Sequence, residues 1–463
     1  MVERLTALSA AFLEAEDADP TTSMAIASAA SLAGPAPSQE EFVDHIRGRL
    51  SLVPRFRQKV RRVPFDLAAP VWVDDPDTDV GWHVRRTALP QPGGPDELHR
   101  LIARVMSQRM DRTRPLWEYW VVEGLSDGRW AILQKVHHCM VDGVSGTALY
   151  DVIFDTEAVP SPPSVDHWTP QPAPSTLSLT GQGLVDLVLT PVAGLRAAGS
   201  LLSSPRTLGR RAARTARGTF SLITDALPVT GSSLSGPLGR QRRYTSTTVP
   251  FDDVRLIRAS FPGTVNDVAL TAITGGFRAL LLSRGEEPEA HAIRTLVPVS
   301  IRRSGEESVP DNRVSLLLPY LPVDVADPVA TLATVRERIA RAAASGEAEA
   351  GTDLMSIVGY EPFPPISLGM RLMFHLPQRQ LVTVTTNVPG PRQPIFMLGR
   401  ACERIIPYVP IADRVRIGVA IFSYNDELTF GITGDYDTSS DLDELTDGID
   451  STLQALVLAA TSP

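Results

Sequence analysis

The amino-acid sequence predicts an α/β or α+β protein made of two layered domains. Two observations favour this class: helical and strand periodicities alternate along the chain, and a proline-rich stretch at residues 160–174 separates the first third from the rest. With 463 residues, of which 43% are hydrophobic, the chain can bury a core in each domain. We expect residues 1–180 and 241–463 to form the domains, and residues 181–240 to form a basic, partly helical insert.

Two predicted helices flank a segment of short strands in the first half. In the helix at residues 38–50, Ser38 can cap the first turn and Glu41 completes a capping box. Residues 96–108 repeat the apolar stripe of an amphipathic helix. Two aromatic-rich runs joined by a turn at residues 126–128 then predict a β-hairpin. These runs are residues 117–125 and 130–136.

The second half alternates strands and helices. Helical periodicity predicts one helix at residues 266–282 and a closing helix at residues 441–460. Strand patterns occupy residues 295–299, 314–318, 381–386, 416–422 and 427–433.

Composition excludes several classes of function. The formal net charge of -9 and pI near 5.5 argue against a nucleic-acid partner, which requires a basic face. Cys139 and Cys402 are too few for a disulfide framework or a thiolate metal site, so we expect a reducing cytoplasm. Residues 1–10 lack a signal-peptide pattern, and no run of 18 apolar residues predicts a spanning helix.

The insert has an unusual charge pattern. Residues 187–224 contain no acidic residue, and their arginines alternate with apolar residues. This pattern is typical of a segment that contacts an anionic lipid surface or the phosphates of a cofactor, and equally of a solvated connecting helix. The arginines are Arg196, Arg206, Arg210, Arg211, Arg214 and Arg217.

The strongest local signal is the segment 135–143, which contains two adjacent histidines where a buried strand is expected to end and a helix to begin. A neutral imidazole from His137 or His138 is the side chain best suited to proton transfer near pH 7. Asp142 can turn back to fix the loop or orient an imidazole, and Gly143 permits a backbone conformation that strains other residues.

Three alternatives compete with a histidine base. The pair can be a loop feature without catalytic function. His137, His138 and Asp142 are potential zinc ligands, but neighbouring residues on an extended segment point in opposite directions, so we expect no metal. Cys139 can act as a nucleophile activated by a histidine, although a free cysteine more often packs as a small hydrophobic residue.

The motif His137-His138-x-x-x-Asp142-Gly143, preceded by Pro115-Leu116-Trp117-Glu118, resembles the bacterial wax ester synthase/diacylglycerol acyltransferase family. The chain departs from the family pattern at Thr78, Cys139 and Asp426, and Ala25 stands where a histidine often follows the methionine. Further blocks match in order: residues 5–16, Asn266-Asp267-Val268, Pro298-Val299-Ser300-Ile301-Arg302, Thr386-Asn387-Val388-Pro389-Gly390-Pro391 and Ser423-Tyr424-Asn425.

The resemblance implies two chloramphenicol-acetyltransferase-like domains, similar to condensation domains, that meet at a channel. It implies that His138 is the general base and that Asp142 holds the loop. The acyl donor would be a fatty acyl-coenzyme A used as a co-substrate, without another cofactor. The acceptor would be the hydroxyl of diacylglycerol, in triacylglycerol biosynthesis, or of a long-chain alcohol, in wax ester synthesis. We expect the protein at the inner membrane or lipid droplets, attached peripherally.

The residues that stabilise the tetrahedral oxyanion are a separate question. Asn266, Thr386 and Asn387 are candidates because each has a neutral polar group in a family block. Asn266 can instead cap the following helix, and Asn387 can organise the turn after it.

Two other functions stay open at this point. The chain can be a condensation-type acyltransferase for a specialised alcohol or a carrier-bound substrate. It can also be a lipid-binding relative without enzymatic activity, although His138 and Asp142 are both retained.

Overall fold

The computed structural model contains two six-stranded sheets among the residues it describes, and helices cover both sheets. A small two-stranded sheet accompanies the first. The described residues are 3–141, 150, 153–160, 166–186, 232–300, 314–344, 363 and 381–462.

The N-terminal sheet has the strand order β11-β12-β1-β6-β5-β4. Its central strand β1 pairs antiparallel with both β12 and β6, and most of its residues are buried. Strands β11 and β12 come from the C-terminal part of the chain, so residues 1–180 do not build this sheet alone. The strands are β1 (Ala25–Leu32), β4 (Val84–Ala88), β5 (Trp117–Glu123), β6 (Trp130–His137), β11 (Phe396–Met397) and β12 (Arg400–Tyr408).

The helices of the first half confirm the periodicity arguments. Ser38 and Glu41 form the predicted capping box of α2, and α4 buries the predicted apolar stripe. Strands β5 and β6 form the predicted hairpin, whose turn holds Asp127 and Gly128 at positive φ. The elements around them are α1 (Ala7–Ala18), α2 (Gln39–Arg47), β2 (Gln58–Arg61), β3 (Val71–Asp74), α3 (Val80–His83) and α4 (Pro95–Met106).

The C-terminal sheet has the order β7-β14-β13-β10-β8-β9. Strand β10 is parallel to both neighbours, β13 and β8, and the β13–β14, β14–β7 and β8–β9 pairs are antiparallel. Each strand predicted in this half is present within a few residues of its expected bounds. The strands are β7 (Arg242–Pro250), β8 (Thr295–Ser300), β9 (Val314–Leu317), β10 (Thr383–Pro389), β13 (Ile417–Tyr424) and β14 (Glu427–Asp435).

Two long helices, α6 and α8, cross closely beside this sheet. A Cβ atom on Gly448 would lie 2.7 Å from the Cα of Gly276, so glycine is needed for this approach. Helix α6 is long and apolar enough to cross a membrane, but 67% of its apolar window is buried, as in the core helix of a globular domain. The helices are α5 (Phe251–Ser260), α6 (Val265–Ser283), α7 (Pro328–Ala344) and α8 (Leu442–Thr461).

Trp117, in the Pro-Leu-Trp-Glu block, is a core residue. Its ring is fully buried and stacks on Phe56 and His83, with centroid distances of 4.8 and 4.3 Å. Its indole N–H donates to the Phe56 carbonyl at 2.9 Å. The block therefore anchors the first residue of β5, next to the strand that leads to the histidines.

Candidate active site

Strand β6 delivers the histidine motif to the edge of the N-terminal core. All eight of its residues are buried, including Lys135. The Lys135 ammonium donates to the carbonyls of Val105 and Gln108, at 3.0 and 2.6 Å, and thereby ties β6 to the end of α4. Burial lowers the pKa of Lys135 to about 8. The strand is thus held firmly up to its last residue, His137.

His137 is buried and both of its ring nitrogens have close partners. Nδ1 accepts the backbone N–H of Cys139 at 3.1 Å, so the proton of the neutral ring is on Nε2. Nε2 lies 3.3 Å from Oε1 of Glu16, a close electrostatic contact that lacks the alignment of a hydrogen bond. His137 therefore organises the loop and is not placed to accept a proton from a substrate.

Glu16 is the residue of this site that sequence reasoning did not find. Its carboxylate accepts the Met24 backbone N–H at 2.6 Å and the Arg112 guanidinium at 2.7 Å. Burial alone raises the pKa of Glu16, but the contacts with His137, Arg112 and Met24 outweigh burial and hold the pKa at about 2. A buried carboxylate that is charged near neutral pH thus lies directly behind His137.

His138 lies at the edge of the core and is partly exposed. Its ring stacks on Phe12 of α1, with a centroid distance of 4.0 Å. Its backbone N–H donates to the Met24 carbonyl at 2.9 Å, and Ser9 of α1 donates to the Cys139 carbonyl at 3.1 Å. Helix α1 and the start of β1 therefore support the short 3-10 turn, His138–Met140, that presents this imidazole.

The other two motif residues, Asp142 and Gly143, lie outside the described residues, as does the start of the helix expected from Ser145. Their assigned roles stay predictions. Within the described residues no group of three potential ligands is placed to hold a metal ion.

Cys139 has the environment of a packing residue. It is buried in the N-terminal core, and burial raises the pKa of its thiol well above the usual range. A thiol of this kind is a poor source of thiolate. The structure therefore favours packing over nucleophilic attack for Cys139.

On the C-terminal sheet the structure brings together two of the three oxyanion candidates. The amide of Asn387, in β10, donates to Oδ1 of Asn266, in the first turn of α6, at 3.3 Å. Both line a cavity of about 400 Å³, together with Thr264, Asp267, Pro298, Arg336, Ile339 and Ala340. Thr386 is adjacent to Asn387 on the strand and so points to the opposite face.

The capping alternatives for these asparagines are wrong. Thr264, not Asn266, caps α6, in a capping box with Asp267. Asn387 lies inside β10 and not in the turn that follows it. Neither side chain is therefore required to end or begin its element, which leaves the amides for another role.

An aromatic contact joins Tyr150 to the C-terminal sheet. Tyr150, eight positions after Asp142 in the sequence, packs on Phe422 of β13 with a centroid distance of 5.4 Å. Phe422 is paired in register with Val388, the residue after Asn387. Gly390 packs closely on Phe422, since a Cβ atom at position 390 would lie 2.4 Å from the Phe422 ring. Tyr150 therefore contacts β13, the strand that pairs with the end of β10.

Sequence comparison identifies the family. The profile of the wax ester synthase/diacylglycerol acyltransferase catalytic domain matches residues 5–269, and that of the family's C-terminal domain matches residues 311–457. The chain belongs to this family. The predicted family is therefore confirmed, and with it the prediction of an O-acyltransferase acting on diacylglycerol or an alcohol.

Named relatives match nearly the whole chain or a large part of it. The Mycobacterium tuberculosis protein named "Probable diacyglycerol O-acyltransferase tgs1" is 44% identical over 456 residues, which are 98% of this chain and 96% of the relative. Another M. tuberculosis protein, "Probable diacyglycerol O-acyltransferase tgs3", is 36% identical over 56% of this chain and 97% of its own length.

Solved structures confirm the predicted fold. The wax ester synthase/diacylglycerol acyltransferase from Marinobacter aquaeolei VT8 superposes with a TM-score of 0.70 at 23% identity, covering 99% of this chain and 100% of that chain. The first condensation domain of the calcium-dependent antibiotic synthetase reaches 0.58 at 16% identity, covering 100% and 97%. The two-domain, condensation-like architecture is thus shared.

Proposed function

We propose that this acyltransferase uses fatty acyl-coenzyme A as donor and His138 as general base. The observation that carries the assignment is the different placement of the two histidines. His137 is buried with both nitrogens beside protein partners, whereas His138 is partly exposed at the edge of the core. Of the pair, His138 is the one that a substrate hydroxyl can reach.

The chemistry follows from this placement. His138 takes the proton of the acceptor hydroxyl while the oxygen attacks the thioester carbonyl carbon. The tetrahedral intermediate carries a negative oxygen, for which amide N–H groups of Asn266 and Asn387 are suitable donors. Collapse breaks the carbon–sulfur bond, and the coenzyme A thiolate recovers the proton from the imidazolium. The products are an ester and free coenzyme A.

The test is release of free coenzyme A from palmitoyl-coenzyme A by the purified protein. Separate reactions contain dipalmitoylglycerol, hexadecanol or no acceptor, and the His138→Ala variant is the control. We expect release that depends on both acceptor and His138, and the better acceptor identifies triacylglycerol or wax ester synthesis. Silence with both acceptors, from a folded protein, would contradict the proposal and favour a specialised acceptor or a binding function.

We further propose that the protein works at an anionic lipid surface, such as the inner membrane or a lipid droplet. An exposed apolar patch supports this location. Phe65 is 88% exposed and has φ +58, a conformation that is rare for a bulky side chain. Beside it, the helical residues 176–186 expose Leu177, Leu184 and Val185. Exposed apolar clusters of this kind are typical of interaction surfaces.

Two contacts fix the patch as one surface. Arg61 donates to Thr176 at 3.2 Å, and a Cβ atom on Gly183 would lie 2.8 Å from Leu67. The segment containing Phe65 therefore runs along the exposed helical residues. The sequence continues from this helix into the arginine-rich residues 187–224, whose charge suits anionic headgroups.

Vesicle sedimentation tests the lipid surface. The double variant Phe65→Ser/Leu184→Ser is compared with Leu458→Ser, which removes an exposed apolar side chain (67%) from α8, outside the patch. We expect the double variant to bind phosphatidylglycerol-containing vesicles at least tenfold more weakly and the control to bind as wild type, because burying one apolar side chain contributes about 1.5–3 kcal/mol and about 1.4 kcal/mol is a factor of ten. Equal binding by wild type, the double variant and Leu458→Ser would contradict the proposal that this patch binds the lipid surface.

A further inference from the structure

The carboxylate of Glu16 occupies the centre of the hydrogen-bond network behind the histidine pair. We propose that Glu16 is a positioning residue for the reaction: it fixes the backbone on both sides of His138 and thereby aims the His138 imidazole. This inference rests on the proposed role of His138 as the base, and it assigns to Glu16 no contact with substrate.

Two backbone N–H groups flank the α-carbon of His138, and Glu16 controls the acceptor of each. The N–H of His138 donates to the carbonyl of Met24, whose own N–H is held by Glu16 Oε1 at 2.6 Å. The N–H of Cys139 donates to Nδ1 of His137, whose Nε2 lies 3.3 Å from the same oxygen. One oxygen atom thus sets both ends of the turn that carries the base.

The second carboxylate oxygen secures Glu16 itself. Oε2 accepts from Arg112, which also binds Asp17 at 2.7 Å and the Leu13 carbonyl at 3.2 Å. Because Arg112 compensates the charge, Glu16 can stay ionised although its side chain is only 2% exposed. The low pKa of Glu16 agrees with this, since a carboxylate that stays charged orients its neighbours and does not take up the substrate proton.

The same helix offers a matched control. Glu14, two residues earlier on α1, is equally buried, and its carboxylate pairs with Arg62 at 3.0 Å. Replacing either glutamate with glutamine removes one buried negative charge from α1 and keeps the shape of the side chain. Only Glu16 contacts Met24 and His137 in the network described above, so only its replacement disturbs the turn at His138.

Glu16→Gln and Glu14→Gln are therefore compared by steady-state kinetics with palmitoyl-coenzyme A and the acceptor preferred by wild type. Displacement of a catalytic group by about 1 Å can cost on the order of 100-fold in rate. We expect kcat of Glu16→Gln to fall at least tenfold, with the KM of both substrates within about twofold of wild type. Glu14→Gln keeps its kcat. Equal kcat losses in the two variants, tracking a common loss of thermal stability, would overturn the proposal.

An NMR measurement separates this proposal from the catalytic one. The imidazole signals of the eight histidines are titrated in histidine-labelled protein, and His138→Ala assigns the signal of interest. We expect Glu16→Gln to shift the His138 signal, because loss of the carboxylate moves the turn that carries this ring and so changes its stacking on Phe12. Arg112, Asp17 and Lys135, the other charged groups around this carboxylate, are unchanged. An unaltered His138 signal refutes positioning by Glu16 whether or not the protein releases coenzyme A.

Discussion

The two sheets carry different polar groups at the ends of strands β6 and β10. Strand β6 ends at His137, behind which lie the carboxylate of Glu16 and the cations of Arg112 and Lys135. Strand β10 carries Asn387 near its end, and its partner is the neutral amide of Asn266. Paired charges therefore lie behind the N-terminal strand, whereas the C-terminal strand presents a neutral amide to a cavity that Asp267 and Arg336 also line.

This difference separates two tasks. Charged groups orient a base strongly, but they are costly to bury and must be paired, so they lie inside the N-terminal core and away from the substrate. Neutral amides donate hydrogen bonds at a lower desolvation cost, which suits a wall that an apolar acyl chain must approach. The bond between the asparagines uses the oxygen of Asn266 and not its N–H donors. We infer that the N-terminal region orients the catalytic base and that the C-terminal region stabilises the oxyanion.

The largest expected effect tests the two histidines against each other. His138→Ala should lower kcat by about 10²- to 10⁴-fold, the usual contribution of a general base, and leave the melting temperature close to that of wild type. His137→Ala should destabilise the fold by about 1–3 kcal/mol, because Glu16 and the Cys139 N–H lose a buried partner. The measurements are coenzyme A release and thermal unfolding. Near-normal turnover of His138→Ala would show that His138 is not the base.

A smaller effect is expected on the C-terminal side. Asn266→Asp keeps the shape and the acceptor of Asn266 but removes its N–H donors, so kcat should fall on the order of 100-fold if the amide stabilises the oxyanion. Asn387→Ala should act through the same pair, and the double variant should therefore lose less than the product of the two single losses. Because Thr264 already caps α6, unfolding temperatures should change little. A loss of stability without a loss of kcat would show that the asparagine pair supports the fold and does not stabilise the oxyanion.

Sequence patterns predicted the elements with a clear local signal, namely amphipathic helices such as α2 and α4 and continuous apolar strands such as β6, β13 and β14. Helices α1, α5 and α7 and strands β7 and β12 were not predicted. The capping box at Ser38 and the hairpin of β5 and β6 are local signals, and both are present. Strand β1 was missed because a central strand made of small residues, buried on both faces, shows no alternation. The pairing of β12 with β1 is also invisible locally, because it joins residues from opposite ends of the chain.

The sequence predicted only the part of the site that lies in a local motif. His138 stands in a contiguous motif, whereas Glu16 contacts that motif only through the fold. A glutamate near the end of a helix ordinarily indicates a solvated face, so nothing in the local pattern distinguishes Glu16 from an exposed residue. Asp426 shows the opposite case. It replaces a glycine of the family pattern, but it lies at positive φ in the two-residue β13–β14 turn, with an exposed side chain.

The smallest expected effect concerns Cys139, the neighbour of the base. Its thiol is buried and its pKa is raised, so alkylating reagents should not modify it in the folded protein. Cys139→Ala should keep the kcat of wild type and cost about 1 kcal/mol of stability, the price of a small cavity in the core. Coenzyme A release and thermal unfolding of this variant measure both quantities. A large loss of kcat with an intact fold would revive the cysteine nucleophile, and the histidine pair would then have to be reinterpreted as its activating group.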